Sequence, residues 1–396
     1  MAEHAMEISY QVTQDDLIAF CDHFYRRSST LRKQNRLVSL WVPVLYLLLG
    51  AGVWLATERL IWPIALAAFA VLYGVLVPAR MKRLRRRQFL RMYREGENRA
   101  LFEPQTMSIE REGLVLKAAS GVSLRKWASI DGIDTTLKAT FVFLSPLMAH
   151  VLSRTSVIEG DYDSFVNELK RRFESATASE RMEPAHPTLA RFGEHDSAGD
   201  LSSDIANSRT ELAYKLTEQD LIAFSEYQAG KSRTLRSANQ RAARVLIGTL
   251  VLAAICVGLV TRDLVFGGIL LVVAVIAACF IPSALRGSRR KLASRVYRET
   301  KHRDLVGPRR LRIGPEVIVT ESPAGASQVK WTYIERVDAT EAHTFVYQSV
   351  ANAIVIPKHG VIGGDYDLFT AELARSWRES RAPQPHVVGN AKSSIG

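Results

Sequence analysis

Displaced by 204 residues, the chain overlays itself: residues 7–175 align with 211–379 without a gap. EISYQVTQDDLIAF at Glu7–Phe20 returns as ELAYKLTEQDLIAF at Glu211–Phe224, Lys126–Trp127 as Lys330–Trp331, Thr140–Phe141–Val142 as Thr344–Phe345–Val346, and GDYDSF from Gly160 as GDYDLF from Gly364. A repeat of this length means one plan used twice, and it accounts for most of a 396-residue chain that could hold two or three domains.

Within each copy the hydrophobicity is segregated. Leu37–Thr57, Leu60–Ala79, Val245–Thr261 and Leu264–Leu285 carry no charge. About 20 apolar residues suffice for a helix to cross a bilayer, so the expectation is four membrane spans in two hairpins. Only Glu58–Arg59 and Arg262–Asp263 separate the members of each pair. An even number of spans per copy gives both copies the same orientation, a parallel repeat.

The charge follows the same segregation. Of 52 Lys and Arg, 24 lie in four acid-free stretches flanking these runs, which leaves 28 basic against 40 acidic residues elsewhere. The net +12 is therefore a local excess and does not point to a nucleic-acid partner. The excess of Lys and Arg predicts cytoplasmic flanks and a multi-pass protein of the bacterial inner membrane, both termini cytoplasmic. Membrane lipids with anionic headgroups are the expected partners, met by Arg80, Lys82, Arg83, Arg85, Arg86 and Arg87 in copy one and Arg286, Arg289, Arg290 and Lys291 in copy two. An unidentified protein partner is compatible with the same plan.

Around the spans each copy reads alike. Ile8, Tyr10 and Val12 alternate with polar residues, as do Leu212, Tyr214 and Leu216, and each set predicts a short strand. Thr13-x-x-Asp16 and Thr217-x-x-Asp220 predict helix N-caps. After the second span, Val, Ile, Phe and Thr in short runs predict strands near 106–111, 113–118, 122–128, 130–136, 140–145 and 149–153, repeated 204 residues on. Phe165, Leu169 and Phe173, and Phe369, Leu373 and Trp377, put one apolar stripe on a closing helix.

The expected fold is thus an α+β membrane protein of two tandem repeats, each a two-helix transmembrane hairpin plus a cytoplasmic antiparallel β-domain closed by a C-terminal helix. The expected boundaries are a strand and helix at 7–36, hairpin 1 at 37–79, β-domain 1 at 80–175, a flexible linker at 176–210, the second strand and helix at 211–244, hairpin 2 at 245–285, β-domain 2 at 286–380 and a disordered tail at 381–396.

These residues resemble the YcxB-like family of bacterial membrane proteins. The likeness rests on the Thr-x-x-Asp-Leu helix start, Trp127 with Ile130 and Trp331 with Ile334, Thr-Phe-Val, and AIVIPKHGV at Ala353–Val361. It implies that each β-domain is pleckstrin-homology-like and membrane-anchored, with no established activity. Copy one departs from the pattern where Ser153 and Arg154 replace Pro357 and Lys358.

No catalytic or cofactor motif accompanies this plan: HExxH, CxxC, a phosphate-binding glycine loop and GxSxG are all absent. None of the nine histidines has a His counterpart in the other copy; His150 faces Ile354 and His343 faces Ala139, so any histidine site belongs to one copy alone. Asp161, Asp163, Asp365 and Asp367 read as helix caps and first-turn acids, and Trp127 and Trp331 as sheet core. The expected function is a non-enzymatic inner-membrane protein with two cytoplasmic interaction or regulatory domains and no cofactor. The alternatives are anionic-lipid sensing and a small channel or transporter. The last is disfavoured by spans that hold no ionisable residue.

Overall fold

The computed structural model describes residues 6–33, 61–145, 148–182, 210–238, 306–350 and 352–382, with separate positions between 36 and 58 and between 240 and 295. The first half runs β1 (Met6–Gln11), α1 (Gln14–Arg27), α2 (Ile61–Tyr93), α3 (Arg99–Phe102), β2 (Pro104–Ile109), β3 (Gly113–Ala118), β4 (Gly121–Lys126), β5 (Gly132–Thr135), β6 (Ala139–Ser145), β7 (Met148–Ser153), β8 (Val157–Glu159) and α4 (Tyr162–Met182). The second runs β9 (Thr210–Leu216), α5 (Glu218–Lys231), β10 (Gly307–Ile313), β11 (Val317–Ser322), β12 (Gly325–Lys330), β13 (Arg336–Ala339), β14 (His343–Tyr347), β15 (Ala353–Pro357), β16 (Val361–Gly363) and α6 (Tyr366–Arg381).

Among the described residues, no helix is long and apolar enough to cross a membrane. The run Leu60–Ala79 falls in α2, whose C-terminal part is strongly basic from Arg80 onward and lies against α1. An uncharged run has the same composition whether a helix is packed on protein or set in lipid, so composition alone overstated the case. The other three runs lie outside the described residues apart from isolated positions. The chain is an α+β protein built on antiparallel sheets, and its described residues do not support the expected four-span inner-membrane protein or the topology and location that followed from it.

Alternation of apolar and polar residues along β1 buries Ile8 and Tyr10 on one face, and in β9 Leu212 and Tyr214. Each strand then turns into a helix through a capping box. Thr13 Oγ1 accepts from the Asp16 amide (3.3 Å) while Asp16 accepts from the Thr13 amide (2.9 Å), and Thr217 and Asp220 repeat the arrangement. Trp127 and Trp331 follow β4 and β12 on short 3-10 turns. They are buried, with their indole N–H groups donated to Glu110 O (3.2 Å) and Gly314 O (3.1 Å).

One ten-stranded sheet runs β16-β9-β10-β11-β12-β4-β3-β2-β1-β8, and three-stranded sheets β5-β6-β7 and β13-β14-β15 pack over its two ends. In each half the core is closed by the C-terminal helix, which puts Phe165 and Leu169, or Phe369 and Leu373, out of water completely. Burial of each such side chain stabilises the fold by about 1.5–3 kcal/mol. Helix α4 continues to Met182 and takes in the first seven residues of the expected linker, 176–182. The sheet ends on three-residue strands, β8 and β16, which leave little unpaired edge.

The two halves meet where β4 pairs antiparallel with β12. Arg125 lies opposite Gly325, Ser123 opposite Ser327 and Gly121 opposite Val329. Ser123 and Ser327 are themselves equivalent positions, so this ladder has a local two-fold axis between them. Backbone bonds outside the ladder repeat the symmetry: Lys126 N donates to Ala324 O (3.0 Å) and Lys330 N to Ser120 O (2.9 Å). Gly121 and Gly325 begin the two strands with φ of 151° and 140°. A Cβ on Gly121 would lie 2.0 Å from Gln328 O, and one on Gly325 2.0 Å from Leu124 O. The turn at 94–98 adds a latch to the second half: Glu335 accepts from the Asn98 amide, Asn98 Oδ1 accepts from the Val350 amide (3.2 Å), and Glu95 accepts from the Thr234 amide.

Candidate functional site

The sheet junction is small and polar at its centre, where the two apolar cores stop on either side. Ser123 and Ser327 fill little space there, and a cavity of about 300 Å³ opens beside them, within the range of small-ligand sites. Copy one supplies Ser123, Arg125 and His150; copy two supplies Ser327, Gln328 and Asn352. Tyr10 and Gln105 line the same space, the tyrosine hydroxyl donating to Gln105 Oε1 at 3.4 Å.

The electrostatics of this cavity are one-sided. Among the described residues that line it there is no Asp or Glu. Enclosure by protein pushes the Arg125 guanidinium down to about 10, and the charge of Arg309 adds to the effect. His150 is pushed down to about 4, first by burial and then by Arg125, so it is neutral at pH 7. Both side chains retain intermediate surface exposure, in keeping with their place on the cavity wall. Gln328 is buried and its Oε1 has no hydrogen-bond partner. A guanidinium with no carboxylate among the described lining residues, set beside hydrogen-bonding groups, has the chemistry to receive a small anion.

The expected headgroup residues lie elsewhere. Arg86 forms a two-pronged ion pair with Asp22 of α1, Lys82 stands 3.7 Å from the same carboxylate, and the Arg85 guanidinium lies 4.6 Å from the centre of the Tyr25 ring. These bonds hold the Asp22 carboxyl below its usual range. Arg80, Arg83 and Arg87 are exposed on α2. Arg290 is 3.8 Å from Glu226, Lys291 is exposed, and Arg286 and Arg289 lie outside the described residues.

The repeated aspartates are engaged locally. Asp365 accepts from the amides of Asp367 (2.9 Å) and Leu368 (3.0 Å), and Asp161 accepts from the Asp163 amide (3.1 Å). Asp163 holds both arms of Arg154 at 2.6 Å, and Asp367 pairs with Lys358 at 2.9 Å. The Ser153–Arg154 replacement in copy one therefore preserves the ion pair to the closing helix.

Among the described residues, Asp220, His343 and His359 are the group able to hold a metal ion. Asp220 was legible as a cap. The two histidines have no counterpart in copy one, which leaves room for a site in copy two alone, and the β14–β15 register brings them together: His343 pairs with Pro357, two residues before His359. Arg125 was missed as well. Its signal was a single charge at a position that the other copy fills with Val329.

A family model described as YcxB-like protein matches residues 313–373, from the end of β10 into α6. The resemblance seen in the sequence is borne out over that segment, which contains Trp331, His343 and His359. No curated protein and no solved structure matches the chain.

Proposed function

We propose that this chain is a non-enzymatic regulatory module that binds a small anion, a phosphate or carboxylate compound, at the junction of its two halves. The observation that supports the reading is Arg125: an enclosed guanidinium facing a cavity of about 300 Å³ with no carboxylate among the described lining residues. A bound anion would supply the counter-charge that the described lining residues do not. Because the lining comes from both copies, an anion bound there ties one half to the other, and occupancy is translated into stiffness of the junction. His150 adds a proton-linked component, since a bound anion favours its protonated form.

The test is a thermal-shift and calorimetric titration of the full chain with inorganic phosphate, with citrate as the carboxylate arm. Saturable stabilisation of the wild type that is lost in Arg125→Gln is the expected result. It should be accompanied by proton uptake that disappears in His150→Gln. A wild type that ignores both anions, or an Arg125→Gln variant that responds as the wild type does, refutes the assignment.

A further inference from the structure

We propose that Asp220, His343 and His359 form a binding site for a divalent transition-metal ion, with Zn²⁺ the ion their chemistry suits best. Two imidazoles and one carboxylate are borderline ligands that favour Zn²⁺ and its neighbours over Mg²⁺ or Ca²⁺. The geometry is close to what such an ion needs. His343 Nε2 lies 2.8 Å from Asp220 Oδ1 and His359 Nε2 lies 3.4 Å from the same oxygen, with all three ligand atoms within 4.8 Å of one another. Tetrahedral bonds of about 2.0–2.1 Å set neighbouring ligand atoms about 3.3 Å apart, so binding asks for a lengthening of roughly half an ångström between His343 and Asp220 and brings together two imidazoles that lie within 4.8 Å of each other.

The supporting shell is in place. Asp220 divides its two oxygens between tasks: Oδ2 takes the Thr217 amide (2.8 Å) and hydroxyl (2.6 Å), which orients Oδ1 toward the histidines. Burial of Asp220 raises its pKa, but the hydrogen bonds from Thr217 and His343 outweigh burial and hold it below the usual carboxylate range. The His343 ring lies nearly parallel to Phe345 (9°, centroids 5.7 Å apart). The loop carrying His359 is fixed on both sides, by Lys358 N to Ala342 O (2.8 Å) and by Lys215 N to Gly360 O (2.7 Å). The side chain of His359 is 60% exposed, which gives an ion a way in.

The other half supplies the comparison. Asp16 makes the same capping box, but Ala139 and Thr155 stand where copy two has His343 and His359. The cap therefore forms without histidines, and the pair in copy two is additional to what the fold requires. Three protein ligands leave a fourth position for water or an exogenous group.

The inference does not rest on the junction reading. Its test uses the full chain, freed of metal with a chelator and titrated with Zn²⁺ by calorimetry and with Co²⁺ by visible absorption. One ion per chain, a Zn²⁺-dependent rise in melting temperature and a tetrahedral Co²⁺ spectrum are expected. His359→Ala and His343→Ala should each weaken binding at least about tenfold. His359→Ala touches an exposed side chain, so its far-UV circular dichroism and its response to phosphate should match the wild type. Failure of the wild type to saturate at one ion, or wild-type affinity in His359→Ala, overturns the site.

Discussion

Gly325→Ala is the sharpest test of how the halves are joined. The residue sits at φ 140°, a backbone conformation that is essentially glycine's own and costs an L side chain about 1–3 kcal/mol. The new methyl would also stand 2.0 Å from Leu124 O, where ordinary contact begins at 3.4 Å, so β12 must retreat from β4 by about 1.4 Å. A hydrogen bond near 3.0 Å does not survive that displacement, and each buried bond lost costs about 1–3 kcal/mol. With one or two bonds broken, the loss is at least about 2 kcal/mol, a sizeable share of the stability of an ordinary domain. The assay is urea unfolding followed by tryptophan fluorescence, since Trp127 and Trp331 directly follow the paired strands. Amide exchange resolves the Lys126 and Lys330 N–H groups, whose acceptors lie across the junction. Gly230→Ala is the control: it lies in α5 with nothing within 4 Å of the added methyl, and helix propensity alone predicts stabilisation of about 0.5–1 kcal/mol. If Gly325→Ala unfolds at the same urea concentration as the wild type and Lys126 keeps its protection, the junction is not built as described.

Three further outcomes follow from the same geometry. Arg125→Met, measured in buffer free of phosphate and carboxylate, should stabilise the chain by about 1 kcal/mol because it removes an enclosed cation that no carboxylate faces among the described lining residues; a comparable loss in urea unfolding would show that the arginine has an internal partner. His150 has a folded pKa of about 4, below its ordinary 6.5, so between those values the unfolded chain takes up a proton that the folded chain refuses. Stability should therefore fall as pH drops through that window, and His150→Gln should flatten the decline measured between about pH 7 and pH 4.5. Thr13→Ala removes the cap of α1 and should cost about 1 kcal/mol in thermal unfolding; an unchanged midpoint would argue that Asp16 holds the helix start unaided.

The local elements were legible because near neighbours determine them. Thr13 and Asp16 are three residues apart, and the alternation of Ile8, Tyr10 and Val12 needs no partner to be read. The strand at 113–118 was placed to the residue. The large sheet was not legible, because β1 pairs with β2 across nearly a hundred residues and β4 with β12 across two hundred. Nothing within GVSLRK or GASQVK announces that the two strands meet. The candidate sites were hidden for a related reason. Repeat alignment weighs what the copies share, whereas Arg125, His150, His343 and His359 are points at which they differ. The membrane reading failed in the opposite direction, by treating local apolar composition as if it fixed surroundings.

The two-fold ladder at Ser123 and Ser327 has a consequence for how such a junction can diversify. In an assembly of two identical chains, any residue placed near the axis appears twice. Arg125 would then face a second guanidinium where Val329 stands, and two uncompensated cations would share one small space. Carrying both strands on one polypeptide lifts that constraint. One side of the axis can become basic while the other stays apolar, and symmetric scaffolding can support a receptor with a left and a right.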